Sequence, residues 1–392
     1  MENVVIVDAT RTPIGSFGGK LKTLNAPELG SVVIGALYKN NSLNPDIIDE
    51  VIMGNVLSAG VGQAPARQAA LKAGLSNKTP CTVVNKVCAS GMKAIMYAAQ
   101  QIQTGDADVI VAGGMESMSN VPHYVPSTRF GIRLGHMEMQ DGIIRDSLCD
   151  AFKNTHMGVD AERCAKTHGI SRVEQDNYAA MSYRRARQTR DEGAFNEEIT
   201  PVKIREDRSR AEIIGDDQEI DRVNFDKIPR LSPAFQNEGT VTAANASPIS
   251  DGAAALLLMS ESKAKHLDIT PIARIVSHAS AAQAPELFTT SPSKAVPVAL
   301  DRAGLKLTDI DLFEINEAFS VVTLANMSLL NLDPEIVNIH GGAVSMGHPV
   351  GCSGARILVT LIHALRRYEK KRGCAAICNG GGGASAMVTE LI

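Results

Sequence analysis

The sequence lacks the features that mark several broad classes of protein. No apolar run approaches the roughly 20 residues of a membrane-spanning helix, so no membrane partner is expected. Basic residues are not in excess, because 39 Lys and Arg stand against 43 Asp and Glu for a net charge of −4, and this balance argues against nucleic acid as a partner. No signal peptide precedes the first strand-like run and the C-terminus is not a peroxisomal address, so we expect a cytoplasmic protein.

The cysteines form neither a disulfide pattern nor a zinc pattern. Their number, seven, is odd and they are scattered along the chain, which favours reduced thiols. Cys374 and Cys378 have no second cysteine pair and no spaced histidine pair to complete a zinc site, and no metal is predicted. The glycine run after Cys378 is not a G-x-G-x-x-G that opens a helix, which argues against a dinucleotide cofactor.

Apolar periodicity predicts an α/β fold. Strand-like runs lie at residues 3–9, 49–57, 106–114, 252–260 and 272–280, and residues 64–75 have helical periodicity. This alternation predicts helices packed over a mostly parallel sheet, and 392 residues suggest two or three domain-sized units. Between 121 and 244 the chain is richer in charge and less periodic, which predicts a mostly helical and looped insertion.

A short internal similarity predicts that the α/β unit occurs twice. The segments 88–95 and 351–358 both place Ser-Gly at the start of an apolar helix, and a strand-like run that ends in a glycine pair follows each of them. The strand-like runs at the N-terminus and near residue 272 would open the two copies. The similarity is short, and chance is the alternative explanation. We predict a duplicated unit with the insertion in its first half.

Cys88 lies at the point where a strand-like run turns into a helix-like one. The N-terminus of a helix presents unpaired N–H groups and a positive dipole end, which are expected to lower the pKa of the thiol below its usual value of about 8.5. A sharp strand-to-helix turn also projects the side chain outwards, in the manner of a nucleophile elbow. The alternative is a small buried core cysteine, and the position alone does not decide between them.

Three further segments place polar groups in unusual surroundings. His348 lies in a glycine-rich loop, Cys378 ends an apolar run ahead of Gly380–Gly383, and Asn316 with Glu317 interrupts an apolar segment. Ordinary structural roles are the alternatives: a surface histidine, a turn between core strands, and a helix cap. Two thiols, an imidazole, an amide and a glycine turn together suggest acyl transfer through a thioester, with one thiol as carrier and the other as base.

At these segments the chain resembles the thiolase family, and most closely its short-chain members, the acetyl-CoA C-acetyltransferases. The matching segments occur in family order and cover essentially the whole chain: RTPIGSFGG (11–19), GQAPARQAAL (62–71), VAGGMESMSN (111–120), EGTVTAANASPISDGAAA (238–255), NEAF (316–319), GGAVSMGHPVGCSGAR (341–356) and CNGGGG (378–383). The resemblance implies two related halves in a five-layer αβαβα arrangement. Residues 1–120 and 245–270 would form the first half, 271–392 the second, and 121–244 a loop domain for CoA binding and tetramerisation.

The resemblance also implies the chemistry. Two acetyl-CoA molecules would undergo Claisen condensation to acetoacetyl-CoA and CoA by a ping-pong mechanism through acetyl-Cys88, and the reverse reaction would be thiolysis. His348 would activate Cys88, Cys378 would act as general acid and base, and Asn316 would orient a water at the oxyanion. The backbone N–H groups of Cys88 and Gly380 would complete the oxyanion hole. No cofactor is implied beyond CoA and acetyl-CoA as substrates.

By motif match, the resemblance implies CoA contacts along the pantetheine path from Leu148, His156, Met157, Phe235, Ala243, Ser247, Ala318 and Phe319. We also expect Arg222 near the 3′-phosphate, although residues 205–230 depart from the family pattern. Ordinary core packing is the alternative for the apolar members of this set. Residues 121–136 would join two tight dimers, so a homotetramer is expected.

Three other functions compete with this interpretation. A degradative 3-ketoacyl-CoA thiolase of broader chain length would share both thiols and the imidazole, but the His156-Met157 pair favours the short chain. A decarboxylating ketoacyl synthase would lack a second catalytic cysteine in a glycine turn. A non-enzymatic lipid carrier or scaffold would have lost Cys88, Cys378 or His348, and all three are present.

Overall fold

The computed structural model of the protein describes residues 2–204 and 211–392; residues 205–210, in the charged stretch of the insertion, lie outside the described residues. The strands are β1 (Val4–Arg11), β2 (Gly15–Ser16), β3 (Glu50–Gly54), β4 (Cys81–Val84), β5 (Val109–Ser117), β6 (His123–Tyr124), β7 (Gln140–Asp141), β8 (Cys149–Asp150), β9 (Thr155–His156), β10 (Val202–Ile204), β11 (Glu212–Ile214), β12 (Ser250–Ser260), β13 (Ala273–Ala282), β14 (Leu312–Ile315), β15 (Arg372–Asn379) and β16 (Gly383–Leu391). The α-helices are α1 (Ala26–Asn40), α2 (Pro65–Ala73), α3 (Ser90–Thr104), α4 (Met157–His168), α5 (Arg172–Asp191), α6 (Glu261–His266), α7 (Pro292–Ala303), α8 (Ser320–Leu330), α9 (Ala343–Met346) and α10 (Val350–Arg367).

The main sheet consists of two related parts. The first has the order β4-β3-β5-β12-β1 and the second the order β13-β16-β15-β14, and they meet where β1 pairs briefly with β13. Corresponding pairs run in the same sense in both parts: β3–β5 and β14–β15 are parallel, whereas β5–β12, β12–β1, β15–β16 and β16–β13 are antiparallel. In the first part residues 118–249 connect β5 to β12, while residues 380–382 make the same connection in the second. The predicted duplication, with a large insertion in its first half, is confirmed.

The prediction of a mostly parallel sheet is wrong. Among the strands that the structure describes, the parallel pairs are β3–β4, β3–β5 and β14–β15, and antiparallel pairs outnumber them. Parallel neighbours need a crossover, whereas a tight turn makes its two strands antiparallel. The glycine turn after β15 therefore fixes β16 as an antiparallel neighbour, and β12 repeats that arrangement in the first half.

Helices separate and cover the two sheet parts in five layers. The central layer is α3 with α10, whose side chains Ile95 and Ile357 pack in one core with Leu256 of β12 and Ile377 of β15. Helices α1 and α2 cover the outer face of the first part, and α7 and α8 cover the outer face of the second. This is the αβαβα arrangement that the resemblance implies. None of the helices in residues 2–204 and 211–392 combines the length and apolar character of a membrane span.

The two central helices touch through glycine. A Cβ at Gly91 of α3 would lie 2.9 Å from the backbone nitrogen of Ala355, and a Cβ at Gly354 of α10 would lie 2.6 Å from the backbone nitrogen of Met92. Ordinary contacts between non-bonded atoms are about 3.5–4.0 Å. The N-terminal parts of α3 and α10 are therefore in backbone contact, and the segments that precede these two helices lie close together.

Candidate active site

Cys88 lies in the tight connection between β4 and α3. Val87 has a φ of +49°, in the left-handed region that a β-branched residue rarely adopts. The hydroxyl of Ser90 stabilises this turn, because it accepts a hydrogen bond from the N–H of Lys86 (2.8 Å) and donates to the carbonyl oxygen of Val87 (2.6 Å). The side chain of Cys88 is half-buried. The predicted strand-to-helix turn is present, and it is strained in the way that functional turns often are.

The expected lowering of the pKa of Cys88 is wrong. Burial raises the pKa of this thiol to about 11; hydrogen bonds from the backbone N–H groups of Gly380 and of Cys88 itself act in the opposite direction, and the carboxylate of Glu116 adds a smaller increase. Lost hydration of the thiolate outweighs the helix end, because α3 begins only at Ser90. At neutral pH Cys88 is therefore a thiol that needs a base.

His348 supplies a neutral imidazole between α9 and α10. Its Nδ1 lies 2.6 Å from the hydroxyl oxygen of Ser353, and that hydroxyl donates its own proton to the carbonyl oxygen of Pro349 at 3.0 Å. With the hydroxyl proton on the carbonyl of Pro349, Nδ1 carries the ring proton and donates it to Ser353, which leaves Nε2 with a free lone pair. Nε2 is buried and has no hydrogen-bond partner among the described residues. Burial, and then the charge of Arg356, lower the pKa of His348 to about 3, so the ring is neutral at neutral pH and the lone pair of Nε2 is unprotonated.

The second thiol lies on the opposite half of the molecule. Cys378 is at the end of β15 and is 1% exposed, and Gly381 and Gly382 turn the chain into β16 with φ values of +82° and +85°. Burial, and then the neighbouring Cys88, raise the pKa of Cys378 well above its ordinary value. A Cβ on Gly380 would lie 3.5 Å from the side chain of Val87, next to Cys88. The glycine turn of the second half therefore packs directly on the Cys88 turn of the first.

Asn316 is buried beside the charged core of the second half. Its Oδ1 accepts a weak hydrogen bond from Arg356 (3.4 Å), and its Nδ2 has no hydrogen-bond partner among the described residues. Helix α8 begins at Ser320 and Phe319 is the cap residue, so Asn316 does not cap that helix as the alternative interpretation required. An amide with one end held and the other end unpaired is suited to binding a water or a substrate oxygen.

The adjacent Glu317 has a different environment. Its carboxylate accepts hydrogen bonds from Tyr178, Ser182 and Asn338 and from the backbone N–H of Val344. These donors lie on α5, on α9 and just before α9. Glu317 therefore ties the insertion and the segment that leads to His348 to the second half, and its acceptor capacity is used in the fold.

Most of the predicted CoA contacts form an apolar wall beside Cys378. His156 stacks on Phe235 with ring centroids 4.6 Å apart, and Phe235 meets Phe319 edge to face at 6.1 Å. Met157, Ala318 and Phe319 share an apolar cluster with Cys378. Ser247 joins this wall, because its hydroxyl donates to the carbonyl oxygen of Ala318 at 2.8 Å.

The other predicted contacts lie elsewhere. Leu148 and Cys88 pack against one small cluster that includes Val350. Ala243 and Arg222 line a cavity of about 600 Å³ between the insertion and the first half, in which Arg222 pairs with Glu219 at 3.0 Å.

Several residues around the thiols were not singled out from the sequence. Glu116 accepts hydrogen bonds from Asn55 and from the backbone N–H groups of Val56, Leu57 and Gly351, and so links β5, the segment after β3, and α10. A carboxylate at the end of an apolar run was the available signal. Lys86, Ser353 and Arg356 were also not singled out. Lys86 lies in the Cys88 turn, Ser353 contacts Nδ1 of His348, and Arg356 donates to Asn316.

Known proteins resemble the chain over its full length. Residues 4–262 match the family described as thiolase, N-terminal domain, and residues 269–391 match thiolase, C-terminal domain. The chain is 53% identical to acetyl-CoA acetyltransferase 1 of Arabidopsis thaliana, covering 100% of this chain and 94% of that protein, and 50% identical to the cytosolic acetyl-CoA acetyltransferase of Gibberella zeae, covering 99% and 98%. It also resembles the crystal structure of the Acat5 thiolase from Ascaris suum in complex with coenzyme A, with a TM-score of 0.94, 45% identity and 100% coverage of both chains. The chain therefore belongs to the thiolase family.

Proposed function

We propose that the protein is an acetyl-CoA C-acetyltransferase, which condenses two acetyl-CoA molecules into acetoacetyl-CoA and CoA and also catalyses the reverse thiolysis. One observation carries the proposal: the Cys88 turn of one half packs on the glycine turn of the other, so that the N–H of Gly380 points at the sulfur of Cys88 and Cys378 lies beside it. Relatives that are about half identical over essentially the full chain carry the same activity in their names, which does not favour the broader degradative alternative.

In the first half-reaction Nε2 of His348 takes the proton of Cys88 as the sulfur attacks the acetyl carbonyl carbon. The N–H groups of Cys88 and Gly380 stabilise the oxyanion that forms. The bond between carbon and the CoA sulfur then breaks, and Cys378 gives its proton to CoA, which leaves as the thiol. The products are acetyl-Cys88, a thiolate at Cys378 and a protonated His348.

In the second half-reaction the thiolate of Cys378 removes a proton from the methyl group of a second acetyl-CoA. The unpaired Nδ2 of Asn316 would hold a water that stabilises the enolate oxygen together with protonated His348. The carbanion attacks the carbonyl carbon of acetyl-Cys88, and the thiolate of Cys88 leaves and recovers its proton from His348. Because the pKa of Cys378 is raised, its thiolate is a strong base, as a weakly acidic carbon requires.

We further propose how CoA lies and how the subunits assemble. Pantetheine would run along the apolar wall from Phe319 to Ser247 and into the cavity that Arg222 lines, where this guanidinium would meet a phosphate. The loop after β6 exposes Phe130 and Leu134 almost completely, at 94% and 95%, and such side chains favour an interface, here that of a homotetramer. The division into residues 1–120 with 245–270, 121–244 and 271–392 also remains a proposal.

For location we propose the cytoplasm. The name of the Gibberella zeae relative supports this, while a rat relative that is 52% identical is named as mitochondrial. Cell fractionation of the source organism decides between them.

Two variants test the chemistry. Cys88→Ala should abolish acetyl transfer, whereas Cys378→Ala should still accept acetyl from acetyl-CoA, more slowly because it lacks the acid that protonates the departing CoA, and should fail to condense. Intact-protein mass spectrometry measures the acetyl adduct, and absorbance of the acetoacetyl-CoA enolate measures condensation and thiolysis. Thiolysis across 3-ketoacyl-CoA chain lengths should fall sharply beyond the shortest substrates. Rapid acetoacetyl-CoA turnover by Cys88→Ala, or a flat chain-length profile, would contradict the proposal.

A further inference from the structure

Lys86 connects the two halves of the molecule beside the thiols. It lies in the turn between β4 and α3, and its ammonium donates to the hydroxyl of Ser385 (2.8 Å), the hydroxyl of Ser280 (3.0 Å) and the carbonyl oxygen of Ala384 (3.2 Å). An ammonium has three protons to donate, and each has an acceptor here. All three acceptors belong to β13 and β16 of the second half.

These acceptors have a defined relation to the second thiol. Ala384 is the cross-strand partner of Cys378 in the β15–β16 pair, and Ser385 is the cross-strand partner of Ser280 in the β13–β16 pair. The ammonium of Lys86 therefore binds β16, the strand that follows the glycine turn, at the residue that pairs with Cys378.

The environment of Lys86 is unfavourable for a charge. The side chain is half-buried and its three acceptors are uncharged oxygens. Burial, and then the charge of Lys93 on α3, lower the pKa of Lys86 to about 8. An apolar side chain would fill this place with less loss of hydration, so the contacts of the ammonium need another explanation than packing.

Geometry supplies that explanation. Between the Cys88 turn and the turn that carries Cys378, the contacts include the N–H of Gly380 on the sulfur of Cys88, the packing of Val87 beside Gly380, and the hydrogen bonds of Lys86. The first two are a single weak hydrogen bond and an apolar contact, which tolerate sliding. Three directed hydrogen bonds do not.

We infer that Lys86 is a positioning residue: its three hydrogen bonds fix the Cys88 turn against the turn that carries Cys378 and Gly380, and so set the distance over which acetyl is transferred and condensed. The inference rests on the proposed function. It predicts that loss of the ammonium slows the chemical steps and leaves CoA binding unchanged, since the cavity lined by Arg222 is formed by other segments.

The experiment compares variants in acetoacetyl-CoA thiolysis. Lys86→Met keeps the length of the side chain and removes the donors; we expect kcat to fall by about 10- to 100-fold, as for a reacting group displaced by up to about 1 Å, with the KM for CoA unchanged. Lys86→Arg keeps charge and donors and should recover part of the lost rate. The matched control is Lys93→Met, because the ammonium of Lys93 lies 4.3 Å over the ring of Tyr97 in its own helix. Its kcat should stay at the wild-type value at about pH 7, where Lys86 is mostly protonated with or without the charge of Lys93.

The acceptor side supplies a second test, which decides the matter if Lys86→Met fails to fold. Ser385→Ala should lower kcat, and the double variant Lys86→Met/Ser385→Ala should lose no more than Lys86→Met alone, because both substitutions remove the same contact. The inference is overturned if Lys86→Met keeps the wild-type kcat, if the KM for CoA rises while kcat stays constant, or if Ser385→Ala keeps the wild-type kcat. Those results leave the proposed function intact as long as Cys88→Ala is inactive.

Discussion

The contact between α3 and α10 predicts that Gly354→Ala is far more harmful than its size suggests. The added Cβ would lie 2.6 Å from the backbone nitrogen and 3.0 Å from the Cβ of Met92, well inside ordinary contact distance of about 3.5–4.0 Å. Because the nearest obstructing atom belongs to the backbone, no change of rotamer relieves the overlap. The two helices must separate by roughly 1 Å.

The magnitude follows from two opposing effects. Overpacking of this kind costs about 1–3 kcal/mol, and replacing glycine by alanine inside a helix returns about 1 kcal/mol. We therefore expect Gly354→Ala to lose up to about 2 kcal/mol of unfolding free energy. Activity should suffer more, because α3 begins just after Cys88 and α10 just after His348, and a misplacement of about 1 Å can cost roughly 100-fold in rate.

The assay pairs the thermal unfolding midpoint with kcat for acetoacetyl-CoA thiolysis. Gly35→Ala is the matched control, because Gly35 lies inside α1 and the nearest atom to its added Cβ would be the flexible end of Lys39, at 3.6 Å. This control should gain about 0.4–1 kcal/mol and keep its activity. Equal stability and equal kcat in the two variants would refute the steric reasoning.

Three more predictions concern the buried polar groups. Since burial raises the pKa of Cys88 to about 11, its inactivation by iodoacetamide should accelerate roughly tenfold per pH unit up to about pH 10; a plateau that begins below about pH 7 would contradict this. Ser353→Ala should lower kcat, because Nδ1 of His348 loses its acceptor and the ring its orientation, while Ser353→Thr keeps the hydroxyl and should retain more activity. Arg11→Met should lower the unfolding free energy by about 3–5 kcal/mol, since it leaves buried carboxylates unpaired. Burial alone would raise the pKa of Glu198, but Arg11 holds it below its ordinary value. In Arg11→Met this carboxyl therefore protonates more readily, and the loss of unfolding free energy should be smaller at about pH 5 than at about pH 8, as thermal melts can measure.

The features that depend only on residues close together in the chain were predicted from the sequence. The strand that ends before Cys88 and the helix after it follow from apolar spacing, and the structure ends that helix at Gly105, a glycine that adopts a φ of +80°. The duplication was also visible, because each copy must repeat the same small residues where α3 and α10 touch. The directions of the strands were not visible, since the hydrophobic pattern of a buried strand is the same for parallel and antiparallel neighbours.

Contacts between segments that are far apart in the chain could not be predicted from the sequence. From the sequence, Lys86 is an ordinary surface cation, whereas in the structure β13 and β16 place three oxygens around its ammonium. Arg356 looks like the polar face of an amphipathic helix, although it is fully buried beside Asn316. The pKa of Cys88 was misjudged for the same reason. A helix end can be read from the residues near the cysteine, but the loss of water around the thiol depends on the other half of the molecule closing over it.

That closure explains how one environment serves both thiols. Burial that raises the pKa of Cys88 lowers its reactivity at rest, and this cost is offset only if His348 takes the proton during attack, which its free Nε2 allows. The same burial makes the thiolate of Cys378 a base strong enough for a methyl proton next to a thioester. A wetter site would lower the pKa of both thiols, which would make Cys88 easier to deprotonate but would weaken Cys378 as a base. The backbone contact of α3 and α10 and the packing of the glycine turn lie around a buried Cys378 and a half-buried Cys88, so the proposed condensation depends on these contacts as well as on the two sulfurs.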